Sequence, residues 1–446
     1  MNKKNIIKYL ILFVYFFISL VFIFTLSRGD TYVNFGFSYA VSIGEIPYND
    51  FNMVISPLAP YLYSIGLFIS NNIIVYYLEQ ALLLCVLFYF VEKIINKKYL
   101  LFLLVLSIPY PIAMVTALFP GYNYLILLLF IIFIYCFDKN KYYVLGFLLG
   151  LLFCTKQTIG LVVFIPTIYY LFKDRKIFIK MFIGYIIPII VLLIYLLFNN
   201  SLFNFIDLCF LGLFDFGNSN SSIDMFYLIM FILGILYFII RIIRDKNNIL
   251  LYYALCFSSV SLPIIDYYHV SLFLVIVFLF IIKDITIKDI LYKYIVIFII
   301  CLDIIWTVIT YHFIGDLKIV NYNNFGLSII TKDDYKYTNE LLKYVDSLDK
   351  EVIYFMRGSE NYFYKITTNR KLNYYDLPNY GNYGYDGLNK MKKKINSKKD
   401  VYFVIDRKLV KNNDSFQQYT KELGQIIIDK GKLKRSIGIY DIYYKE

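Results

Sequence analysis

Long apolar runs separated by short polar clusters recur along the first 313 positions and then stop. They fall near 6–26, 73–95, 100–118, 122–137, 142–154, 159–172, 179–198, 225–243, 248–264, 270–283 and 291–313. A bilayer hydrocarbon core of about 30 Å asks for about 20 apolar residues per helix, so the pattern predicts eleven membrane-spanning helices, several of them short. Residues 314–446 lose these runs. There DYKYTNELLKYVDSLDK aligns Leu341, Leu342, Val345 and Leu348 on one helical face, and SFQQYTKELGQIIIDKG reads as a second helix closing at Gly431. EVIYFM, VYFVID and SIGIYDIYY read as strands. The fold class expected is an all-α polytopic membrane domain, 1–313, followed by a small C-terminal α/β domain, 314–446.

Composition agrees: 60% of residues are hydrophobic and 17% charged, with a mean hydropathy of +0.63, which excludes one large soluble enzyme. Charge placement sets an orientation. Eighteen of the twenty Lys and Arg residues in 1–313 lie before the first run or after the second, fourth, sixth, eighth and tenth. Arg28 and Lys156 are the other two. By the positive-inside rule the N-terminus is cytoplasmic, the tail is extracytoplasmic, and the chain is a multi-pass protein of the cell membrane. MNKKNIIK and its long apolar run, with no small-residue cleavage site behind it, read as an uncleaved first span. The net charge of +12 does not form a basic stripe with interleaved stacking aromatics, so no nucleic-acid partner is expected. The six cysteines show neither metal-ligand nor redox spacing.

The outer loops are acidic where the inner ones are basic, and the first of them, 27–72, is long for a bundle connection. Asp30 directly follows the first span. The stretch 31–43 is aromatic and amphipathic, suited to lying along the membrane interface. GEIPYNDF, containing Asp50, turns the chain, and SPLAPYLYSIGLFIS is too short to span.

Asp30 at the exit of the first span, the GEIPYNDF turn and the SPLAPYL segment resemble the first extracytoplasmic loop of GT-C glycosyltransferases. These are multispan enzymes that use polyprenyl-phosphate-linked sugars, with protein mannosyltransferase-like and aminoarabinose transferase-like members. CTKQTIG, LPIIDYYHV and the soluble tail fit the same pattern. The resemblance implies a sugar transferred from a polyprenyl-phosphate donor to a glycan, lipid or protein acceptor at the outer face of the bilayer. It implies that Asp30 matches the loop-one aspartate placed beside the acceptor nucleophile, and a carboxylate within hydrogen-bond reach of an attacking hydroxyl is able to take its proton.

Lys156 stands with Gln157 between two short spans, on the side where cations are disfavoured. A boundary lysine marks a functional site, and a phosphate leaving group is its natural anionic partner; Arg28 is a second candidate for that role. Asp266 and His269 form a third element, with His269 a proton carrier near neutral pH, and Asp50 is a further candidate contact. Many metal-dependent relatives carry acids in the second outer loop, but here it reads LFPGYNY, which leaves Tyr122 and Asn123 as substrate contacts. No cofactor is expected, and a divalent metal stays open. Two rival readings remain, a non-catalytic lipid-glycan flippase or transporter and an envelope polysaccharide polymerase or ligase. No GxxxxGK[ST] or GxGxxG fingerprint is present, which argues against a nucleotide-sugar donor.

Overall fold

The computed structural model describes residues 30–95, 121–213, 223–284, 317–356, 360–372, 382–407 and 418–446, with isolated positions 13, 16, 17, 20, 215 and 410. Helices α1 (Asp30–Ser42), α2 (Leu58–Leu67) and α3 (Ile73–Ile95) come first. Then follow α4 (Tyr122–Phe137), α5 (Tyr142–Thr155), α6 (Gln157–Phe164), α7 (Ile168–Lys173) and α8 (Arg175–Phe198). Next come α9 (Leu202–Ile206), a π-helical turn at Asp207–Leu211, α10 (Met225–Arg244), α11 (Ile249–Cys256) and α12 (Tyr267–Asp284). Among the described residues three helices, α3, α8 and α10, are long and apolar enough to cross a membrane. The other helices among them that stand at expected span positions are shorter or less uniformly apolar. The spans expected near 100–118 and 291–313, and all but four positions of 6–26, lie outside the described residues.

Local chemistry explains where these helices start and stop. Asp174 accepts from the backbone N–H of Lys176 and Ile177 at 3.0 and 3.3 Å, and Asp224 caps α10 in the same way. Lys93, Lys173, Arg241, Arg244 and Lys283 occupy last turns, where cations face the negative end of the helix dipole. The turns at 138–141, 174 and 245–248 gather at one end of the bundle, tied by Lys283 to Asp138 at 3.3 Å and by an Arg241–Asp284 ion pair. The loop 43–57, Gly121, Lys156 and residues 199–212 gather at the opposite end, together with the turn before α12. Asn49 Nδ2 donates to the Asn199 carbonyl, and Asp224 N–H donates to the Ile265 carbonyl.

Helices α5 and α8 run parallel and very close. An added Cβ at Gly146 would lie 1.9 Å from the Met181 carbonyl oxygen, one at Gly150 2.4 Å from that of Tyr185, and one at Gly184 2.2 Å from that of Tyr143. The i, i+4 spacing of Gly146 and Gly150 is the small-residue pattern by which helices approach in a bilayer, where apolar side chains gain nothing by leaving lipid. On α10 and α12, also parallel, Phe231 meets Phe273 and Phe238 meets Phe280 edge-on at 5.8 and 5.4 Å.

The C-terminal part is α/β, as expected, with more elements than the sequence pattern announced. A hairpin, β1 (Leu317–Tyr322) and β2 (Gly326–Thr331), precedes α13 (Lys332–Asp346). A four-stranded sheet orders β3 (Glu351–Phe355), β4 (Val401–Asp406), β6 (Tyr440–Lys445) and β5 (Lys432–Ile437), the first pair parallel and the rest antiparallel. Helices α14 (Glu360–Thr367), α15 (Gly387–Ser397) and α16 (Gln418–Lys430) complete it. SIGIYDIYY is not one strand. The chain reverses at Gly438, whose φ is +56°, so KLKRSI and YDIYYK pair as a hairpin.

A second sequence expectation is corrected. The stretch 31–43 forms α1 but does not lie along an interface: Thr31, Phe35, Ser38 and Ala40 are fully buried. One side packs on α2 and α3, with Phe35 edge-on to Tyr76 at 5.7 Å. The other is covered by the C-terminal domain. Phe325 meets Phe35 at 5.4 Å, Tyr362 meets Phe37 at 5.6 Å, and the Tyr32 hydroxyl bonds Ser328 Oγ at 2.9 Å. Its aromatic face was made for protein on both sides.

Gly146→Val is expected to lower the melting temperature of the detergent-solubilised protein, because overpacking costs about 1–3 kcal/mol. Val144→Leu, at an exposed position of the same helix, leaves it unchanged within error.

Candidate functional site

The loop end of the bundle is organised by two buried amides. Gln157, 1% exposed, begins α6 immediately after a break in which Lys156 is extended, at φ −147° and ψ 106°. Its Oε1 accepts from Ser56 N–H at 3.2 Å and Ser56 Oγ at 3.3 Å. Its Nε2 donates to the Val54 carbonyl at 3.2 Å and the Cys209 carbonyl at 2.7 Å. Both donors and both lone pairs are thus used, so the side chain staples loop one and the π-helical turn to the α5–α6 break. Gln157, expected to bind substrate, has its hydrogen-bonding capacity filled by the protein.

The second amide is Gln80, fully buried inside the apolar α3. Its Oε1 accepts from Gly121 N–H at 2.9 Å, while Tyr63 Oη donates to the Gly121 carbonyl at 2.9 Å. Gly121 sits at φ 136°, a conformation L side chains rarely adopt, and the Asn34 side chain fills the space where a Cβ would stand. Helices α1, α2 and α3 therefore fix the start of α4, and with it Tyr122 and Asn123. Sequence reasoning missed Gln80, Tyr63 and Asn34. The available signal was a Glu-Gln pair, Glu79 and Gln80, inside an otherwise apolar span.

Tyr122 and Lys156 come together, the Lys156 ammonium lying 5.8 Å from the ring centroid. Lys156 is half-buried, outside the three long apolar helices, and among the described residues no carboxylate lies within ion-pair distance of it. Burial lowers its pKa to about 8. Next to Tyr122 in the chain, Asn123 is 7% exposed and its Oδ1 has no hydrogen-bond partner among the described residues. Thr31 is in the same condition, fully buried with Oγ1 unpartnered. Such orphaned groups are uncommon in folded proteins and ask for an explanation.

Asp30 is the first residue of α1, four positions before Asn34 and one before Thr31. Arg28 lies outside the described residues. Asp50 closes the GEIPYNDF turn, its Oδ2 accepting from Ile46 N–H at 2.7 Å. Asp266 Oδ1 accepts from His269 N–H at 3.0 Å and lies 2.8 Å from His269 Nδ1, which makes Asp266 the cap of α12. No hydrogen bond or ion pair joins Asp266 or His269 to Lys156 or Gln157. The structure thus gathers Tyr122, Asn123, Lys156 and Gln157, and holds the Asp266–His269 pair as a separate unit. Among the described residues no three His, Cys, Asp or Glu side chains cluster as a metal-binding group.

An apolar groove of about 340 Å³ runs between α2, α5 and α8, lined by Leu58, Tyr61, Phe147, Leu151, Pro188 and Tyr195 among others. Phe147, Ile187 and Val191 on its rim are exposed apolar side chains. Ile187 to Tyr195 covers about 12 Å of helix at 1.5 Å per residue. The groove reaches Cys154, two residues before Lys156. At its loop end the Tyr61 and Tyr195 hydroxyls bond one another. Comparison of the chain with protein-family models, curated proteins and solved structures gives no match.

The two kinds of buried amide are expected to respond oppositely to mutation. Gln157→Leu strands the Ser56, Val54 and Cys209 backbone groups, at about 1–3 kcal/mol for a buried group left unpaired, and lowers the melting temperature. Asn123→Leu removes an acceptor that bonds nothing among the described residues and leaves the melting temperature equal or higher. Differential scanning fluorimetry on the two variants checks this.

Proposed function

We propose that this chain is a membrane glycosyltransferase that takes a sugar from a polyprenyl-phosphate donor, in the manner of the GT-C enzymes its first loop resembles. The observation that carries the reading is the apolar groove whose lining reaches Cys154, two residues before Lys156 in the chain. A hydrocarbon chain loses nothing by moving from lipid into a groove lined by Leu58, Phe147 and Leu151, and in this reading its polar end lies toward Lys156, an ammonium with no carboxylate in ion-pair distance among the described residues. A phosphate supplies the missing anion. In this reading all eleven expected spans are present, the loop end is the outer face, and the C-terminal domain covers it.

Chemically, the acceptor hydroxyl or amine attacks the anomeric carbon and passes its proton to Asp30. The bond between that carbon and the phosphate oxygen breaks, and its electron pair leaves with the polyprenyl phosphate. Lys156 stabilises the charge that gathers on the phosphate in the transition state. Tyr122 flanks the ammonium and limits its access to water. The unpartnered Asn123 Oδ1 and Thr31 Oγ1 suit sugar hydroxyl groups, so the cost of leaving them unsatisfied in the free protein is recovered when the sugar binds. Asp266 and His269 cap α12 at the same end and take no part in the step.

Lys156→Met, like Asp30→Asn, is expected to cause build-up of one polyprenyl-phosphate sugar and loss of that sugar from an envelope glycan, lipid or protein, read by mass spectrometry. Unchanged lipid-linked sugars and glycans, with the variant at normal abundance, overturn the reading. The pH dependence gives a second check. Burial favours the neutral amine, so the ammonium persists below about 8 and is lost as pH rises through it. The profile of kcat/KM, which reports the free enzyme, should therefore fall above about pH 8. In Lys156→Arg, whose guanidinium stays charged, that alkaline fall should disappear.

A further inference from the structure

The C-terminal domain reaches the Lys156 break through an unbroken chain of contacts. Asp207, first residue of the π-helical turn, accepts from Lys390 Nζ at 2.6 Å through Oδ2 and from Tyr385 N–H at 3.0 Å through Oδ1. Gly384 lies so close that an added Cβ would be 2.3 Å from Asp207 Oδ2, and its φ of +76° also excludes other residues. Its Cα in turn faces Gly212 just beyond the turn. On the opposite flank Asn52 Nδ2 donates to the Asn382 carbonyl at 2.8 Å. Residues 382–390 thus wedge between loop one and the π-helical turn. Two residues after Asp207, the Cys209 carbonyl accepts from Gln157, and Gln157 adjoins Lys156.

A π-turn is an insertion that a helix sheds unless something holds it, and such turns recur at functional sites. Here the holding group is a carboxylate bound by another domain. We infer that Asp207 and Lys390 are positioning residues: their ion pair fixes the π-turn, the turn fixes Gln157, and the C-terminal domain thereby sets the geometry of Lys156. The residue acts through others and touches no substrate. The inference deepens the reading above by assigning the C-terminal domain a role at the donor-phosphate end, but its readout is the chemistry of Lys156 itself and needs no transfer reaction.

The test uses the full chain in lipid nanodiscs, with acetic anhydride as the probe and mass spectrometry of the Lys156 peptide across the alkaline range. The ammonium faces Tyr122, and among the described residues no carboxylate adjoins it. Water admitted to the break is therefore the term that moves its titration. In Asp207→Asn and in Lys390→Met the labelling midpoint of Lys156 should rise by about one pH unit or more, toward the ordinary lysine value. The exchanged pair Asp207→Lys with Lys390→Asp should bring it back toward wild type. Labelling of Lys390 in Asp207→Asn reports that the contact has been broken. Should Asp207→Asn fail to fold, Lys390→Met, altering a partly exposed side chain, carries the test alone.

An unchanged Lys156 midpoint with the contact broken overturns the inference. A midpoint that rises equally in Lys392→Met, whose partner is Glu422 within the C-terminal domain, overturns it too, because general loosening would then suffice. A raised midpoint in a chain that transfers no sugar, wild type included, leaves the positioning role standing and removes the transferase reading.

Discussion

Four hydrogen bonds to one side chain hold the loop end of this bundle together. Gln157 sits where α5 stops and α6 begins, and its amide meets loop one on one side and the π-helical turn on the other. At the break just before it Lys156 turns extended, with its ammonium over the Tyr122 ring. A primary amide suits this task because it offers two donors and two lone pairs in a fixed plane, with no charge to desolvate. Without it, backbone groups of Val54, Ser56 and Cys209 would be left unpaired in an environment with little water to replace them.

The bundle supports that point by close backbone approach. Gly146, Gly150 and Gly184 let α5 and α8 touch, and Phe147, Leu151 and Cys154 of α5 with Pro188, Val191 and Tyr195 of α8 line the groove beside α2. Packing and the apolar groove are therefore two parts of one seam. On the opposite flank Gln80, Tyr63 and Asn34 clasp Gly121 and fix α4 against the same region. Thr31 Oγ1 and Asn123 Oδ1 are among the buried polar atoms there with no hydrogen-bond partner among the described residues. Asp50 and the Asp266–His269 pair, by contrast, are engaged in a turn and a cap.

Much of this was legible along the chain. The positions of α3, α4, α5, α8, α10 and α12 follow from apolar runs bounded by clusters of Lys and Arg, and β3, β4, α13 and α16 follow from their own periodicity. Lys156 and Tyr122 stood out singly, by charge in the wrong place and by a loop lacking acids. Their meeting did not, nor did the saturation of Gln157, since an isolated glutamine after a lysine looks equally fit to bind a ligand. Helix α1 shows the limit most clearly. Its aromatic, mixed face reads the same whether lipid headgroups or another domain covers it, and here Phe325 and Tyr362 do.

By itself the sequence determined what each segment is: an apolar helix bundle suited to a bilayer, an α/β tail, and helix ends set by caps and charges. Those properties depend on neighbours within a few residues, where periodicity, propensity and solvation act. The tertiary structure decided which segments meet. The bonds that build the site link residues far apart, 101 positions for Ser56 to Gln157, 52 for Gln157 to Cys209, 183 for Asp207 to Lys390 and 330 for Asn52 to Asn382. No local pattern encodes such a partner, because any buried amide or carboxylate accepts any donor that packing brings within reach.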